Sequence, residues 1–434
     1  MGYKSPKHRV GFVERLSSGH ARYLPRASAD AIPRTATLEI RQSTRLMSPS
    51  APKSPVDVLE TVQSRYAQGA AEQVPELCCP VDYDASLLEV LPPEIIDRDY
   101  GCGDPSRFVR NGDTVLDLGS GAGKICYMAS QLTGAEGRVI GVDATPEMLA
   151  LSREWVERIG ERIGWTNTEF RHGLIQDLAL DRDALAEWLA KNPIASVVEL
   201  DALRIEEDRL RRESPLIPDN SIDLVLSNCV LNLVDNSSKV QLFNEIARVM
   251  KAGGRCAISD IVCDEDVPQD MQDDPELWSG CISGAMREDR FLQAFKDAGL
   301  HGVQAVEYQS EPWAVVRGIE FRSMTVVAWK AEKKPALEQN DAILYRGPWK
   351  EVVDDFGNTL RRGERTAVSR RTAELLGSEP YADQLVAIKP LMEVPADEVQ
   401  PFGCNHETLR SPSETKHGVQ RADVAPGTSS SSCC

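Results

Sequence analysis

Between residue 111 and about residue 330, short apolar and β-branched runs alternate with stretches of helical periodicity. Strands separated by helices join in parallel through crossover connections, so this alternation restricts the region to an α/β fold with a mostly parallel sheet. The pattern places individual elements. TVLDLG (114–119) is a strand and KICYMASQL the helix after it, and RVIGVD (138–143) is the next strand. Thr145 then offers an N-cap oxygen, and Pro146 takes the first helical position, where its missing N–H costs nothing. Met148, Ser152, Trp155, Ile159 and Ile163 continue that helix at spacings of three to four. IDLVLSN (222–228) is an apolar run of the kind buried on both faces. KVQLFNEIARVMKAGG predicts a helix stopped by Gly253 and Gly254, and RCAISDIV (255–262) predicts another strand. The charged stretch between Leu178 and Pro218 reads as a helix-prone surface insertion.

A chain of 434 residues exceeds one unit at a prior of about 150 residues per domain. Residues 1–60 lack sustained periodicity and read as a disordered or targeting tail. Residues 61–330 form the main domain with an N-terminal cap, 331–404 a smaller α+β domain, and 405–434 a flexible tail ending in SSSSCC. Within the smaller domain, AILYRGPWKEVVDD and NTLRRGERTAVS resemble two strands around the turn DFGN. No run of about 18 apolar residues occurs, so no membrane span is expected. The formal charge is −18 but uneven: residues 1–55 hold ten Lys/Arg against three Asp/Glu, a local +7, which leaves −25 for the remainder. That acidic body argues against nucleic acid as a partner. The Arg- and Ser-rich start has no apolar signal core and reads as an organelle transit peptide or a plain disordered tail. The rest fits a cytoplasmic protein, and a monomer is expected.

LDLGSGAG (116–123) is the most informative motif. A strand runs into Gly119-x-Gly121-x-Gly123 and then a helix, where glycines let the backbone turn sharply and approach a ligand closely. A nicotinamide fingerprint would be G-x-G-x-x-G; here Lys124 occupies the place of the third glycine. Asp143 ends the next strand, where a carboxylate can accept from both hydroxyls of a ribose. A loop without a pyrophosphate cradle suits a nucleoside that carries no phosphate. The combination resembles the S-adenosylmethionine-dependent methyltransferases. The resemblance implies that Asp117 and Gly119 hold the methionine end, Asp143 the ribose, and that Ile175 and Gln176 flank the adenine, with Ser120, Gly121 and Gly123 also binding the cofactor. Asn228 reads either as a hydrogen bond to that cofactor or as a cap on its strand.

Eleven cysteines are an odd number without a CxxC pair, which suits free thiols in a reducing compartment better than a disulfide framework or a zinc ribbon. Cys229 immediately follows IDLVLSN, at the sheet edge where ligands of open α/β folds collect. Cys281, in LWSGCISGA, and Cys102, in DYGCGDP, can reach the same edge. Three thiols from separate segments suggest a soft acceptor. YGCG, LDLGSGAG, SNCVLNLV and LWSGCISGA, in this order, resemble the arsenite methyltransferases, within them the branch with CCPVDYD and DYGCGDPS. The likeness spans about residues 75–434.

The resemblance implies a Rossmann-like class I methyltransferase fold and transfer of methyl groups from S-adenosylmethionine to trivalent arsenic held by Cys102, Cys229 and Cys281. The partners are then arsenite and methylarsenicals as thiol adducts. It also implies that Cys102 and Cys78 or Cys79 reduce the metalloid, and that thioredoxin or glutathione restores the thiols. Other members carry a single upstream cysteine, so the choice between Cys78 and Cys79 stays open. Selenium, tellurium or a small organic molecule is an alternative acceptor, and a thiol sequestering protein an alternative class. Cys126 and Cys256 read as core residues; Cys263 stands at a strand end, more in the core than in the site. Tyr100 and Trp278 are either walls for the sulfonium or packing. Cys433 and Cys434 read as a thiol arm, a lipidation site or a tail without function.

Overall fold

The computed structural model describes residues 55–72, 74, 81–98, 100–403 and 409–417. Three helices open the described chain, Pro55–Ala71 (α1), Ala85–Leu88 (α2) and Pro93–Asp97 (α3). The sheet begins at Thr114–Leu118 (β1). Its Val115 faces one helical layer and its Leu116 and Leu118 the other, as a strand's period of two requires. The central strands are therefore apolar on both faces.

The chain then alternates as expected: Lys124–Thr133 (α4), Arg138–Asp143 (β2), Pro146–Glu154 (α5), Val156–Ile163 (α6), Thr168–His172 (β3), Arg182–Lys191 (α7), Val197–Glu213 (α8), Ile222–Asn228 (β4), Lys239–Val249 (α9) and Met250–Cys263 (β5). It continues through Gln269–Gln272 (α10), Pro275–Ser279 (α11), Met286–Arg287 (β6), Glu288–Asp297 (α12), Leu300–Tyr308 (β7), Ala314–Val316 (β8) and Ile319–Lys330 (β9). The order across the sheet is β3-β2-β1-β4-β5-β9-β7, with β6 beside β5 and β8 beside β9. Strands β1 to β5 are parallel; β9 runs antiparallel to β5 and to β7. This is a Rossmann-like, mostly parallel sheet, and its carboxyl edge gathers the ends of β1, β2, β4 and β5.

Several boundaries differ from the sequence expectations. The helix from Pro146 breaks at Trp155 into α5 and α6. Thr145 makes no side-chain cap; its N–H instead donates to Asp143 Oδ1 at 2.7 Å. Helix α9 stops at Val249, before the two glycines, because Met250 already pairs with Ile222 as the first residue of β5. The insertion forms α7 and α8, whose solvent faces are laced by pairs such as Arg209 with Glu206 and Glu213.

Beyond β9 the strands leave the main sheet. Leu337–Glu338 (β10) pairs with Gln400–Pro401 (β16), and Ala342–Tyr345 (β11) lies between Arg365–Ala367 (β14) and Leu385–Ile388 (β15). Glu351–Val353 (β12) and Thr359–Arg361 (β13) make a hairpin around DFGN, so each expected strand is divided in two. Arg370–Leu376 (α13) covers a separate small core of Ile343, Tyr345, Leu360 and Leu376, and Pro412–His417 (α14) follows. Among the described residues no helix is long and apolar enough to cross a membrane.

Candidate functional site

At the carboxyl edge lies a cleft, partly open to solvent, which the glycine loop, the end of β2 and the end of β4 line together. Gly119, Gly121 and Gly123 all have positive φ, at 69°, 50° and 93°. At Gly119 a side chain would also collide with Val230, which follows Cys229. At Gly121 a methyl would meet nothing within 4 Å, so backbone borders open space there. Asp143 reaches back across the edge and accepts from the Gly121 N–H at 2.9 Å as well as from Thr145. Burial raises its pKa despite those two donors. Asp117, Ser120, Ile175 and Gln176 line the same cleft, whereas Gly123 lies behind it against Phe170 and Tyr127.

The fit to S-adenosylmethionine can be judged on these atoms. Ser120 Oγ is buried and has no hydrogen-bond partner, an unmet need that a bound polar ligand would satisfy. The cleft thus offers an unpaired hydroxyl, open backbone and a carboxylate at the places where the cofactor's polar groups are expected.

The thiols meet beside this cleft. Cys102, Cys229 and Cys281 are buried and share one apolar cluster with Ile261, Ile282 and Phe321. Cys229 also lines the cleft. Its thiol is within hydrogen-bonding reach of both Cys102 and Cys281, contacts that push its pKa well up, with burial adding to them. Burial raises Cys102. The Cys281 thiol donates to the Cys229 carbonyl at 3.3 Å. Cys229 and Cys281 have φ of 63° and 62°, a region that side chains other than those of Gly, Asn and Asp rarely enter. Such strain costs on the order of 1–3 kcal/mol per residue and clusters at functional sites. Hydrogen bonds hold both turns: the Cys229 N–H donates to the Ser259 carbonyl at 2.8 Å, and the Cys281 N–H to that of Trp278 at 3.1 Å. Among the described residues no three His, Cys, Asp or Glu side chains converge as a ready-made metal cage. The three sulfurs are gathered around Cys229 rather than closed on a centre.

Helix α1 joins the two parts, and its role was missed in the sequence because the tail boundary at residue 60 cuts through it. Val58, Leu59, Val62 and Tyr66 line the cleft. Gln63 Nε2 donates to the Ala144 carbonyl at 2.6 Å beside Asp143, while Arg65 donates to Ser279 Oγ at 2.7 Å, two residues before Cys281. The signal was present in the spacing of Val58, Val62, Tyr66 and Ala70, one helical face beginning just after Pro55. Arg98 and Asp235 also line the cleft without having been singled out.

The remaining candidates separate clearly. Tyr100 lines the cleft; its hydroxyl donates to the Gly69 carbonyl at 3.1 Å and its ring packs edge-on against Tyr66. Trp278 is packing: buried, it donates to the Leu233 carbonyl at 3.2 Å and does not line the cleft. Cys126 and Cys256 are fully buried, and Cys126 donates to Asp117 Oδ2 at 3.2 Å. Cys263 belongs to the same cluster as the three thiols, yet its sulfur points to the Ala285 carbonyl at 3.6 Å, and burial pushes its pKa up to about 12. Asn228 lines the cleft, but its amide is engaged with the Cys102 loop. Cys78, Cys79, Cys404, Cys433 and Cys434 lie outside the described residues.

Comparison with known proteins identifies relatives of this chain. The methyltransferase domain family matches residues 110–203 and 190–299, and a domain of unknown function matches residues 332–420. An arsenite methyltransferase of Aquipseudomonas alcaligenes is 32% identical over 307 residues, 66% of this chain and 77% of the relative. One from Halobacterium salinarum is 32% identical over 314 residues, 67% of this chain and 69% of the relative. Among solved structures, an arsenic(III) S-adenosylmethionine methyltransferase from Chlamydomonas reinhardtii aligns at 24% identity and a TM-score of 0.47, over 75% of this chain and 100% of that one. Identity at that level over most of both sequences means that the chain belongs to the arsenite methyltransferase family.

Proposed function

We propose that this chain transfers methyl groups from S-adenosylmethionine to trivalent arsenic, and that Cys102, Cys229 and Cys281 hold the arsenic during transfer. The observation that carries the reading is that Cys229 lines the cofactor cleft and also packs in one buried cluster with Cys102 and Cys281, whose thiol reaches its carbonyl. One residue thereby joins the donor's cavity to the acceptor's ligands.

When bound, S-adenosylmethionine supplies a methyl group on a positively charged sulfur. Ser120, Gly121 and Asp143 bind its polar groups, and Ile175 and Gln176 flank the adenine. The raised thiol pKa values do not oppose arsenic capture, because arsenite brings its own hydroxides. Each As–S bond that forms releases one hydroxide, which leaves as water with the thiol proton. Arsenic with three sulfur ligands keeps one lone pair, and such a nucleophile has no proton to remove. The protein's part is to aim the metalloid and to exclude water, which the apolar shell of Ile261, Ile282 and Phe321 and the cover of α1 do. Methylation formally oxidises the arsenic; two electrons from a thiol pair return it to the trivalent state, and thioredoxin or glutathione reduces the disulfide. The enzyme works as a cytoplasmic monomer, in arsenic detoxification.

The test is product speciation. Purified protein is incubated with arsenite, a thiol reductant and S-adenosylmethionine, and the arsenic species are separated by mass spectrometry. Methylated arsenicals that need both protein and cofactor are expected. Cofactor binding without any methylated arsenic would overturn the assignment.

A further inference from the structure

The stretch Asn228-Cys229-Val230-Leu231-Asn232 carries one thiol between two carboxamides, and each carboxamide grips the loop of a different cysteine. Asn228 Oδ1 accepts from the Cys102 N–H at 2.8 Å and the Gly103 N–H at 3.1 Å. Its Nδ2 donates to the Gly103 carbonyl at 2.8 Å and to the Tyr83 hydroxyl at 3.2 Å. A carboxamide has two acceptor lone pairs and two N–H donors, so all four positions of Asn228 are used and none is left for the cofactor. Asn232 is buried. Its Nδ2 donates to the Ile261 carbonyl at 2.6 Å and reaches the carbonyl of Cys281 itself at 3.4 Å.

The approach is close enough to constrain the neighbours. A side chain at Gly101 would collide with the Asn228 amide, and one at Gly284, three residues past Cys281, with the Asn232 backbone carbonyl. The YGCG and GCISG patterns thus have glycine where an asparagine of the central motif presses against the loop. Asparagine suits the Asn228 position for a stated reason: it must accept from two N–H groups and donate to a carbonyl. A carboxylate only accepts and an ammonium only donates.

We infer that Asn228 and Asn232 are positioning residues that dock the Cys102 and Cys281 loops against Cys229, and so fix the geometry of the three arsenic ligands. The inference rests on the thiol reading above. The Cys102 loop joins Asn228 across 126 residues of sequence, and the Cys281 carbonyl joins Asn232 across 49. Each loop has another long-range anchor, the Ser323 hydroxyl on the Cys102 carbonyl at 2.7 Å and the Lys239 ammonium on the Gly284 carbonyl, and Met286 and Arg287 pair with β5 beyond the second loop; the asparagines tie both loops to the segment that carries Cys229.

The test reads arsenic coordination, which a merely structural residue would not change selectively. Arsenite is added to full-length wild-type, Asn228→Ala and Asn232→Ala proteins, and X-ray absorption counts the sulfur ligands. Each variant is expected to drop from three sulfurs to two and to bind arsenite about tenfold more weakly, with S-adenosylmethionine affinity within about twofold of wild type. Asn228→Ala should add no further loss to Cys102→Ser, nor Asn232→Ala to Cys281→Ser, because each pair acts through one ligand. Full sulfur coordination in the asparagine variants, additive losses in the pairs, or a parallel loss of cofactor affinity would overturn the inference. Should an alanine variant not fold, the serine variant at that position is read by the same criteria. If Cys102→Ser and Cys281→Ser themselves leave arsenic coordination unchanged, the thiol reading fails. If they change it while the asparagine variants do not, only the docking role fails.

Discussion

The donor half and the acceptor half of this site are built in opposite ways. On the donor side, the glycine loop and Asp143 belong to one strand–helix–strand unit, and the bond between Gly121 and Asp143 spans 22 residues. On the acceptor side, Cys102 is docked across 126 residues and the Cys281 thiol reaches Cys229 across 52. The first half is a consequence of local geometry. The second exists only after the whole sheet has formed, since β4 and β5 must be in register before Cys229 can donate to Ser259. A cofactor cleft and a thiol cluster that share one wall can thus be disturbed separately, and the largest expected effects test that separation.

Cys229→Ser should abolish it on one side only. A hydroxyl is a hard donor that binds arsenic poorly, so arsenite methylation should fall by about a hundredfold or more. S-adenosylmethionine affinity should stay within about twofold, because Ser120, Gly121 and Asp143 are untouched. Rate and calorimetric affinity measured on the same preparation decide the matter; equal losses in both would show that the halves are one unit.

Asp143→Ala is the reciprocal experiment. Losing hydrogen bonds to a charged group costs about 1.5–3 kcal/mol, roughly ten- to a hundredfold in cofactor affinity, while arsenic coordination should persist. The pH dependence has a definite sign. Burial raises the Asp143 pKa, so acidification protonates it sooner than an exposed aspartate and removes the acceptor the ribose needs. Calorimetry should show wild-type affinity falling from neutral toward mildly acidic pH and the variant's changing less. An equally steep fall in Asp143→Ala would assign the titration to another group.

What the sequence made legible follows the same division. Gly119, Gly121, Gly123, Asp143 and the strands that carry them could be read from residues and spacing, because the constraint lies within one supersecondary unit. For Cys102, Cys229 and Cys281 the residues said only that all three could reach one sheet edge, and the family resemblance supplied their common role, since spacing does not say how loops fold back over a sheet edge. Asn228 was open for a related reason: its four hydrogen bonds go to partners more than a hundred residues away. Helix α1 was cut by a domain boundary drawn where residues 1–60 show no sustained periodicity, although Val58, Val62 and Tyr66 lie on one helical face. The helix that breaks at Trp155 and the early start of β5 are tertiary effects that periodicity alone does not contain.

The smallest expected effect concerns backbone conformation, where the contrast is most direct. Both halves need left-handed turns at the sheet edge. The donor half places glycine at each of them, Gly119, Gly121 and Gly123, whereas the acceptor half places Cys229 and Cys281 there and accepts the strain. If Cys281 is retained for its thiol and not for its turn, Cys281→Gly and Cys281→Ala should be equally deficient in arsenic binding and differ in stability. Glycine relieves the left-handed conformation that alanine must still adopt, so Cys281→Gly should be more stable than Cys281→Ala by about 1 kcal/mol, even after glycine's larger unfolded-state entropy. Denaturant unfolding of the two variants measures that difference. A glycine variant no more stable than the alanine one would mean that the turn at Cys281 carries little strain and that the two halves differ in topology alone.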